Sequence, residues 1–129
     1  MATILAIEDD PSFRDLLRLH LQSAGHSVQT AADPEEGLRA VLEDPPELIL
    51  LDLDLPYLSG IEVLEALRSD EASQSIPVIV ITGKTDSDTY AKCQKIGFAG
   101  YALKPLKRED LLREVAKALA AADGKGRPA

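Results

Sequence analysis

Cysteine is nearly absent from this chain of 129 residues, which has only Cys93. One cysteine cannot form an internal disulfide, and Cys93 has no cysteine or histidine neighbour at the spacing of metal ligands. We therefore interpret it as a small packing residue of a helix and assign it no chemical role. The chain must fold around an apolar core, and a chain of this length can bury roughly two thirds of its unfolded surface in one domain.

Long apolar runs and an excess of basic residues are also missing. The apolar segments are far shorter than the roughly 20 residues that cross a bilayer. The start, MATILAIEDD, has no basic segment before an apolar stretch, as secretory signals do. These features predict a soluble, cytoplasmic protein with no membrane partner. The net charge of −8, from 14 basic and 22 acidic residues, disfavours contact with nucleic-acid phosphates, so we expect no direct nucleic-acid binding.

Short apolar runs alternate with longer segments of helical periodicity, as in repeated βα units around a parallel sheet. The predicted strands are Thr3–Ile7, Ser27–Ala31, Leu48–Leu51, Val78–Ile81 and Gly100–Leu103. The first, third and fourth are almost wholly apolar, as interior strands are, whereas the second and fifth are more mixed and suit sheet edges. Right-handed crossovers then predict an α/β fold: a doubly wound, five-stranded parallel sheet in the order 2-1-3-4-5, the flavodoxin-like (βα)5 three-layer sandwich.

Capping residues mark the helix starts as well as periodicity does. Asp10 and Asp33 each precede a proline, which suits a helix N-terminus, and Glu36 should complete a capping box with Asp33. The apolar faces expected to pack on the sheet are Phe13, Leu16, Leu17 and Leu21 in the first helix and Leu111, Leu112, Val115, Ala116 and Leu119 in the last. The remaining helices are predicted near Gly37–Glu43, Gly60–Ser69 and Ser87–Ile96.

The end of the chain has a different composition. Residues 122–129 hold two glycines and a proline without apolar periodicity, which predicts a flexible tail or the start of a linker. Residues 1–121 are therefore expected to form the single domain.

Polar residues end the predicted strands at the sheet edge where this fold class binds ligands. They are Glu8 and Asp9 after the first strand, Asp52 at the third, Thr82 at the fourth and Lys104 at the fifth. Two carboxylates about 4 Å apart repel by roughly 4 kcal/mol at an effective dielectric near 20, so the acids need raised pKa values or a bound hard cation. We favour Mg²⁺, which prefers oxygen ligands and leaves positions for water and phosphate. Because Asp10 is best explained as a helix cap, the metal pair is Glu8, acting through water, and Asp9.

Asp52 is the predicted nucleophile and phosphorylation site, because a carboxylate can attack phosphorus to form an acyl phosphate beside a metal ion. Lys104 offers a charge that pairs with Asp52 beforehand and with a phosphoryl oxygen afterwards. Thr82 offers a hydroxyl donor to another phosphoryl oxygen. These three residues form the predicted catalytic set.

At these residues the sequence resembles the response-regulator receiver domain of two-component signalling, of the chemotaxis-regulator type, over nearly the whole chain. ILAIEDDP is similar to the family's acidic start, LILLDLDLPYLSGIEVL to its phosphoacceptor segment, VIVITG to its threonine strand and GYALKP to its lysine segment. The resemblance implies Mg²⁺ held by Asp9, Asp52, the backbone carbonyl of Asp54 and waters arranged partly by Glu8. It also implies a cis peptide between Lys104 and the following proline, which aims the lysine inward.

The resemblance further implies how the chain would work. A sensor histidine kinase or a histidine phosphotransfer protein would phosphorylate Asp52, and Thr82 and Tyr101 would act as a switch pair. Thr82 would move toward the phosphoryl group and Tyr101 would turn into the space so opened. The face of the fourth helix, fifth strand and fifth helix would then change shape for a downstream effector protein or a removed output domain, and a homodimer through that face stays open. Such a signalling module assists its own phosphorylation and dephosphorylation and is not a metabolic enzyme.

Two positions depart from common patterns of the family. Asp54, two residues after the phosphoacceptor, is often uncharged in relatives, and Lys84, two residues after the threonine, is variable. Both should border the phosphoryl group. We hypothesise that they tune the rate at which water removes it.

Three alternatives share part of these features. Asp52-Leu53-Asp54 fits the DxD start of haloacid-dehalogenase-like phosphatases, but those enzymes place the motif on their first strand and need room for a cap domain. A flavodoxin-like cofactor binder should have a loop rich in Ser, Thr and Gly after the first strand, where this chain has acids. A pseudo-receiver, which serves only as an interaction module, should lack part of the acid, threonine and lysine set, and none is missing.

Overall fold

The computed structural model describes residues 1–55 and 59–124, with only the backbone described for 123 and 124. Within that part of the chain, five strands and five helices alternate. The strands are β1 (Thr3–Ile7), β2 (Ser27–Ala31), β3 (Leu48–Asp52), β4 (Val78–Thr82) and β5 (Gly100–Leu103). The helices are α1 (Pro11–Ser23), α2 (Pro34–Glu43), α3 (Gly60–Ser69), α4 (Ser87–Ile96) and α5 (Arg108–Gly124).

The strands form one parallel sheet in the order β2-β1-β3-β4-β5. β3 and β4 are buried along their whole length and β1 along all but its first residue, because helices cover both faces of the sheet. β2 and β5 form the edges and include partly exposed residues. The predicted fold class, strand order and edge strands are therefore confirmed.

The ends of the strands reach a common edge of the sheet. β3 and β4 each run one residue further than the predicted apolar runs, so that Asp52 and Thr82 are the last residues of their strands. Asp52 lies beside Ile81 in the register, and Thr82 lies beside Leu103. This register places the polar strand ends side by side.

Two apolar layers fill the space between the sheet and its helices. On one face, β-strand residues such as Leu51 pack with Leu64 of α3 in a cluster that also takes in α2 and α4. On the other face, Leu50 packs with Leu21 of α1 and Val115 of α5. Neighbouring residues of one strand serve opposite layers because successive side chains alternate between the faces of a sheet.

The predicted caps are present, with one difference. The carboxylate of Asp10 accepts from the backbone N–H of Ser12 at 3.0 Å, and that of Asp33 accepts from the N–H of Glu36 at 2.8 Å. The Glu36 carboxylate accepts from the N–H of Ala32 at 3.2 Å. The predicted capping box would have used the N–H of Asp33, so the donor is one residue earlier than predicted. α2 begins at Pro34, directly after its cap and three residues before the predicted Gly37, because proline suits the first helical position.

Two residues that were predicted on buried helix faces are exposed, so the prediction is wrong for them. Leu16 is 41% exposed, whereas Leu17 and Leu21 of the same helix are buried. In α5, Ala116 is exposed and Ala118 is buried. Each of these two residues lies about 100° around the helix from a buried neighbour, at the border of the apolar stripe. At such a border, burial depends on tertiary packing and cannot be predicted from periodicity alone.

The end of the predicted domain stays a prediction. α5 continues to Gly124 and so includes the first three residues of the expected tail. Residues 125–129, and residues 56–58 of the phosphoacceptor segment, lie outside the described residues. In the described residues, no helix is both long enough and apolar enough to span a membrane.

Candidate functional site

Strand ends bring the predicted site residues together at the carboxyl edge of the sheet. Glu8 and Asp9 follow β1, Asp52 ends β3, Thr82 ends β4, and Lys104 follows β5. The backbone N–H of Lys104 donates to the Thr82 carbonyl at 2.9 Å, which continues the sheet pairing into the site. The lysine is therefore held beside β4 by the same ladder that builds the sheet.

Three acids form the centre of this edge. Glu8, Asp9 and Asp52 each offer a carboxylate oxygen, and these oxygens lie within 4.8 Å of one another. Glu8 is 1% exposed and Asp52 is 2% exposed, while Asp9 is half-buried. Like charges held this close at a partly desolvated site require compensation by protons, cations or both.

The donor chemistry of the three acids fits a hard cation. Glu8 Oε1 and Asp52 Oδ2 are buried, and neither makes a hydrogen bond within the described part of the chain. Buried polar atoms are rarely left in that condition in folded proteins. Two such oxygens, together with a carboxylate oxygen of Asp9, make an all-oxygen set that suits Mg²⁺.

Glu8 is fixed by the turn that leads into α1. Its Oε2 accepts from the backbone N–H of Asp10 at 3.0 Å, and its backbone carbonyl accepts from Arg14 Nη1 at 3.1 Å. Burial, followed by the contact with Asp52, raises the pKa of Glu8 from 4.5 to about 8. A carboxyl group with this pKa retains its proton near neutral pH unless a cation takes the proton's place.

Lys104 lies among the carboxylates. Its Nζ is 3.1 Å from Asp52 Oδ1, 3.6 Å from Asp54 Oδ2 and 3.8 Å from Glu8 Oε1. Burial alone would lower the pKa of Lys104, but the hydrogen bond to Asp52 and the three negative charges outweigh it and raise the pKa. The ammonium group also lies 5.1 Å from the centre of the Phe13 ring, within the range of a cation–π contact. The peptide between Lys104 and the following proline is cis, as the resemblance implied.

Asp54 contributes both its backbone and its side chain to the site. Its N–H donates to Asp52 Oδ1 at 2.9 Å. Its Oδ1 accepts from the Thr82 hydroxyl at 3.1 Å, and its Oδ2 accepts from the Gly83 N–H at 3.0 Å. Sequence reasoning assigned the backbone carbonyl to the metal and missed the side-chain contact with Thr82. The available signal was an acid at a position that is often uncharged in relatives.

Tyr101 is packed inward on β5. Its hydroxyl is buried and has no hydrogen-bond partner among the described residues, and burial raises its pKa. The ring lies 4.9 Å from that of Tyr90 and 5.4 Å from that of Phe98, measured between ring centres. Tyr90 and Phe98 are therefore the aromatic packing partners of the predicted switch residue.

Comparison with known sequences identifies a matching family. The model of the response regulator receiver domain matches residues 4–116. The DNA-binding response regulator MtrA of Mycolicibacterium smegmatis is 36% identical over 112 residues, which are 87% of this chain and 48% of that protein. The DNA-binding dual master transcriptional regulator RpaA of Synechocystis is 36% identical over 115 residues, 89% of this chain and 48% of that protein. The chain thus spans about half the length of these relatives.

Solved structures show the same architecture. The Vibrio cholerae chemotaxis protein CheY4 is 30% identical with a TM-score of 0.87, and the match covers 92% of this chain and 98% of that protein. A CheY-like receiver domain protein from Methanospirillum hungatei is 27% identical with a TM-score of 0.91, over 98% and 99% of the two chains. These similarities favour a signalling module over the phosphatase alternative.

Proposed function

Since the chain belongs to the response regulator receiver domain family, we propose that Asp52 is its phosphoacceptor and that Mg²⁺ assists the transfer. The donor is a phosphohistidine of a sensor histidine kinase or of a histidine phosphotransfer protein. The environment of Asp52 supports this proposal most. One of its oxygens, Oδ1, is bound by Lys104 and by the Asp54 N–H, while Oδ2 makes no hydrogen bond within the described residues.

The transfer is a displacement at phosphorus. A carboxylate oxygen of Asp52 forms a bond to phosphorus while the bond from phosphorus to the histidine nitrogen breaks, and the released imidazole takes up a proton. Lys104 and Thr82 donate to phosphoryl oxygens; Lys104 is already paired with Asp52, and the Thr82 hydroxyl is held by Asp54. Because Lys104 is in place beforehand, little reorganisation of this positive charge accompanies the chemical step.

Glu8, Asp9, Asp52 and the backbone carbonyl of Asp54 would hold the metal, with Glu8 acting through water. When bound, Mg²⁺ neutralises charge on the transferring oxygens and on the acids themselves. The buried oxygens of Glu8 and Asp52 that accept no hydrogen bond from the described residues support this ligand set. Lys104 adds a second positive charge beside Asp52 Oδ1.

The signal is read on the face formed by α4, β5 and α5. Thr82 and Tyr101 act as the switch pair, and Tyr90 and Leu103 leave 41% and 45% of their surfaces exposed on this face. We propose that its partner is a downstream effector or an output domain of a longer protein, because MtrA and RpaA are about twice as long as the match. The same face could support a homodimer. The module is cytoplasmic, where ATP-derived phosphoryl groups are available, and it turns over no metabolic substrate.

Phosphorylation by a small donor tests the proposal. The purified chain is incubated with phosphoramidate and Mg²⁺, and its intact mass is measured. We expect one added phosphoryl group in the wild type, none when EDTA replaces Mg²⁺ and none in Asp52→Asn. Asp54→Asn serves as the matched control, since it removes a neighbouring carboxylate and leaves the nucleophile. An unchanged wild-type mass, or added mass in Asp52→Asn, would contradict the proposal.

A further inference from the structure

The side chain of Asp54 engages both donors that the proposed function assigns to the phosphoryl group, Thr82 and Lys104, and a further donor, the backbone N–H of Gly83. The Thr82 hydroxyl donates to its Oδ1 at 3.1 Å, and the Gly83 N–H donates to its Oδ2 at 3.0 Å. Lys104 Nζ lies 3.6 Å from Oδ2. A carboxylate and a phosphoryl group are both anions with several acceptor oxygens, so the same three donors can serve either one.

The position of Asp54 makes this exchange possible. Its own N–H is bonded to Asp52 Oδ1 at 2.9 Å, which fixes the start of the loop directly beside the phosphoacceptor. Its side chain is 31% exposed although it lies on a loop. An anion that is partly removed from water and bound by a hydroxyl, an amide and an ammonium group is held more firmly than a solvated surface acid.

The contact also determines the state of the switch pair. Thr82 is fully buried, and its hydroxyl donates to Asp54 while Asp52 is unphosphorylated and paired with Lys104. Tyr101 at the same time has its hydroxyl buried and its ring packed against two aromatic neighbours. After phosphorylation we would expect Thr82 to bind an anion at the site and Tyr101 to be turned inward. The unmodified chain already has both features.

We propose that the Asp54 carboxylate is an internal stand-in for the phosphoryl group: a positioning residue that holds Thr82 at the site and Tyr101 inward before Asp52 is phosphorylated. This inference rests on the proposed function, because it assigns Thr82 and Tyr101 their switch roles. Phosphorylation would transfer the donors from Asp54 to the phosphoryl group and would move Tyr101 little. The chain would therefore have basal output in the unmodified state.

Fluorine NMR of the protein labelled with fluorotyrosine tests the inference without any phosphoryl donor. The chain has three tyrosines, so substitution of each by phenylalanine assigns the Tyr101 resonance. In metal-free buffer we expect a solvent-protected Tyr101 signal in the wild type. Asp54→Ala should raise the exposed population of Tyr101 by about tenfold, the effect of losing roughly one charge-assisted hydrogen bond. Glu43→Ala, which removes the same charge at an exposed position at the end of α2, is the matched control and should resemble the wild type.

An identical Tyr101 signal in the wild type and in Asp54→Ala would overturn the inference. A second pair of variants tests whether the effect passes through Thr82. In a Thr82→Ala background, Asp54→Ala should change the Tyr101 signal no further, whereas additive changes would exclude the contact as the link. Thermal unfolding of each variant confirms that the spectra report on folded protein.

The inference and the proposed function can fail separately. Adding Mg²⁺ and phosphoramidate to Asp54→Ala should return Tyr101 to the protected position, because the phosphoryl group then engages the donors. A Tyr101 that stays exposed in protein shown to be phosphorylated by its mass would overturn the stand-in role. If the wild type is never phosphorylated, the proposed function fails, while the metal-free comparison still decides whether Asp54 positions Thr82.

Discussion

Replacing Asp9 by Asn should stabilise the chain when no divalent cation is present. A carboxylate oxygen of Asp9 lies within 4.8 Å of those of Glu8 and Asp52. Lys104 forms ion pairs with Glu8 and Asp52, whereas Asp9 has no ion pair among the described residues. Asp9 therefore contributes mainly repulsion to the metal-free site.

The size of the effect follows from the distances. At an effective dielectric near 20, two charges at that separation repel by roughly 3.5 kcal/mol. Glu8 is mostly protonated near neutral pH because its pKa is raised to about 8. The repulsion between Asp9 and Asp52 is therefore the main repulsion that Asp9→Asn removes. Asp9 is half-buried, and solvent screening reduces the gain to about 1 kcal/mol, or roughly 3 °C in Tm.

Mg²⁺ should reverse the order of stability. A ligand present at about 100 times its Kd stabilises the folded state by roughly 2.7 kcal/mol. The wild type should gain an amount of this order, and Asp9→Asn should gain little, because it lacks a charged metal ligand. The wild type should therefore be less stable than Asp9→Asn in EDTA and more stable than Asp9→Asn in saturating Mg²⁺.

Urea unfolding followed by circular dichroism measures both effects. Asp10→Asn is the control, because it removes an equal charge from the next residue and asparagine caps a helix as well as aspartate does. It should leave the Mg²⁺ dependence unchanged. Equal shifts for the two variants, or an Asp9→Asn protein that Mg²⁺ stabilises as much as the wild type, would refute the reasoning.

Three further predictions concern stability. In metal-free buffer the free energy of unfolding should fall as the pH rises from 4.5 to 8, because the folded state holds the Glu8 proton with a pKa of about 8 and so binds more protons than the unfolded state; Glu8→Gln should flatten this dependence in urea titrations. Arg68 donates to three backbone carbonyl groups, so Arg68→Met should cost about 2 kcal/mol in urea unfolding and leave phosphorylation by phosphoramidate intact. Gly60→Ala would place a Cβ 2.3 Å from the Leu53 backbone and should cost about 3 kcal/mol. Gly37→Ala meets a flexible isoleucine side chain at 2.6 Å and should cost less; urea unfolding of the two glycine variants measures both effects.

The fold could be predicted because its signals are local. The apolar run Leu48–Leu51 marks an interior strand by composition alone, and Asp10 marks the start of α1 by its place before a proline. Once the strand order follows, the carboxyl ends of the strands must share an edge, which brings Asp52 and Thr82 together. That much of the candidate site required no side-chain detail.

The contact of Asp54 with Thr82 could not be predicted in the same way. It depends on how far the pairing of β3 with β4 continues, and the Leu53 N–H still donates to the Ile81 carbonyl at 2.9 Å beyond the end of β3. This extension places the following residue, Asp54, beside the end of β4. Leu16 shows the same limit in the helices, since residues at the border of an apolar stripe are sorted by three-dimensional packing.

Chemical trapping of the phosphorylated residue tests most directly whether Asp52 is the nucleophile. The chain is treated with phosphoramidate and Mg²⁺ and then with sodium borohydride, which reduces an aspartyl phosphate to homoserine and so marks the modified position. Tandem mass spectrometry of the peptides then locates the mark. We predict homoserine at position 52 in the presence of Mg²⁺ and none when EDTA replaces it. Homoserine at position 9 or 54 with residue 52 intact would contradict the assignment.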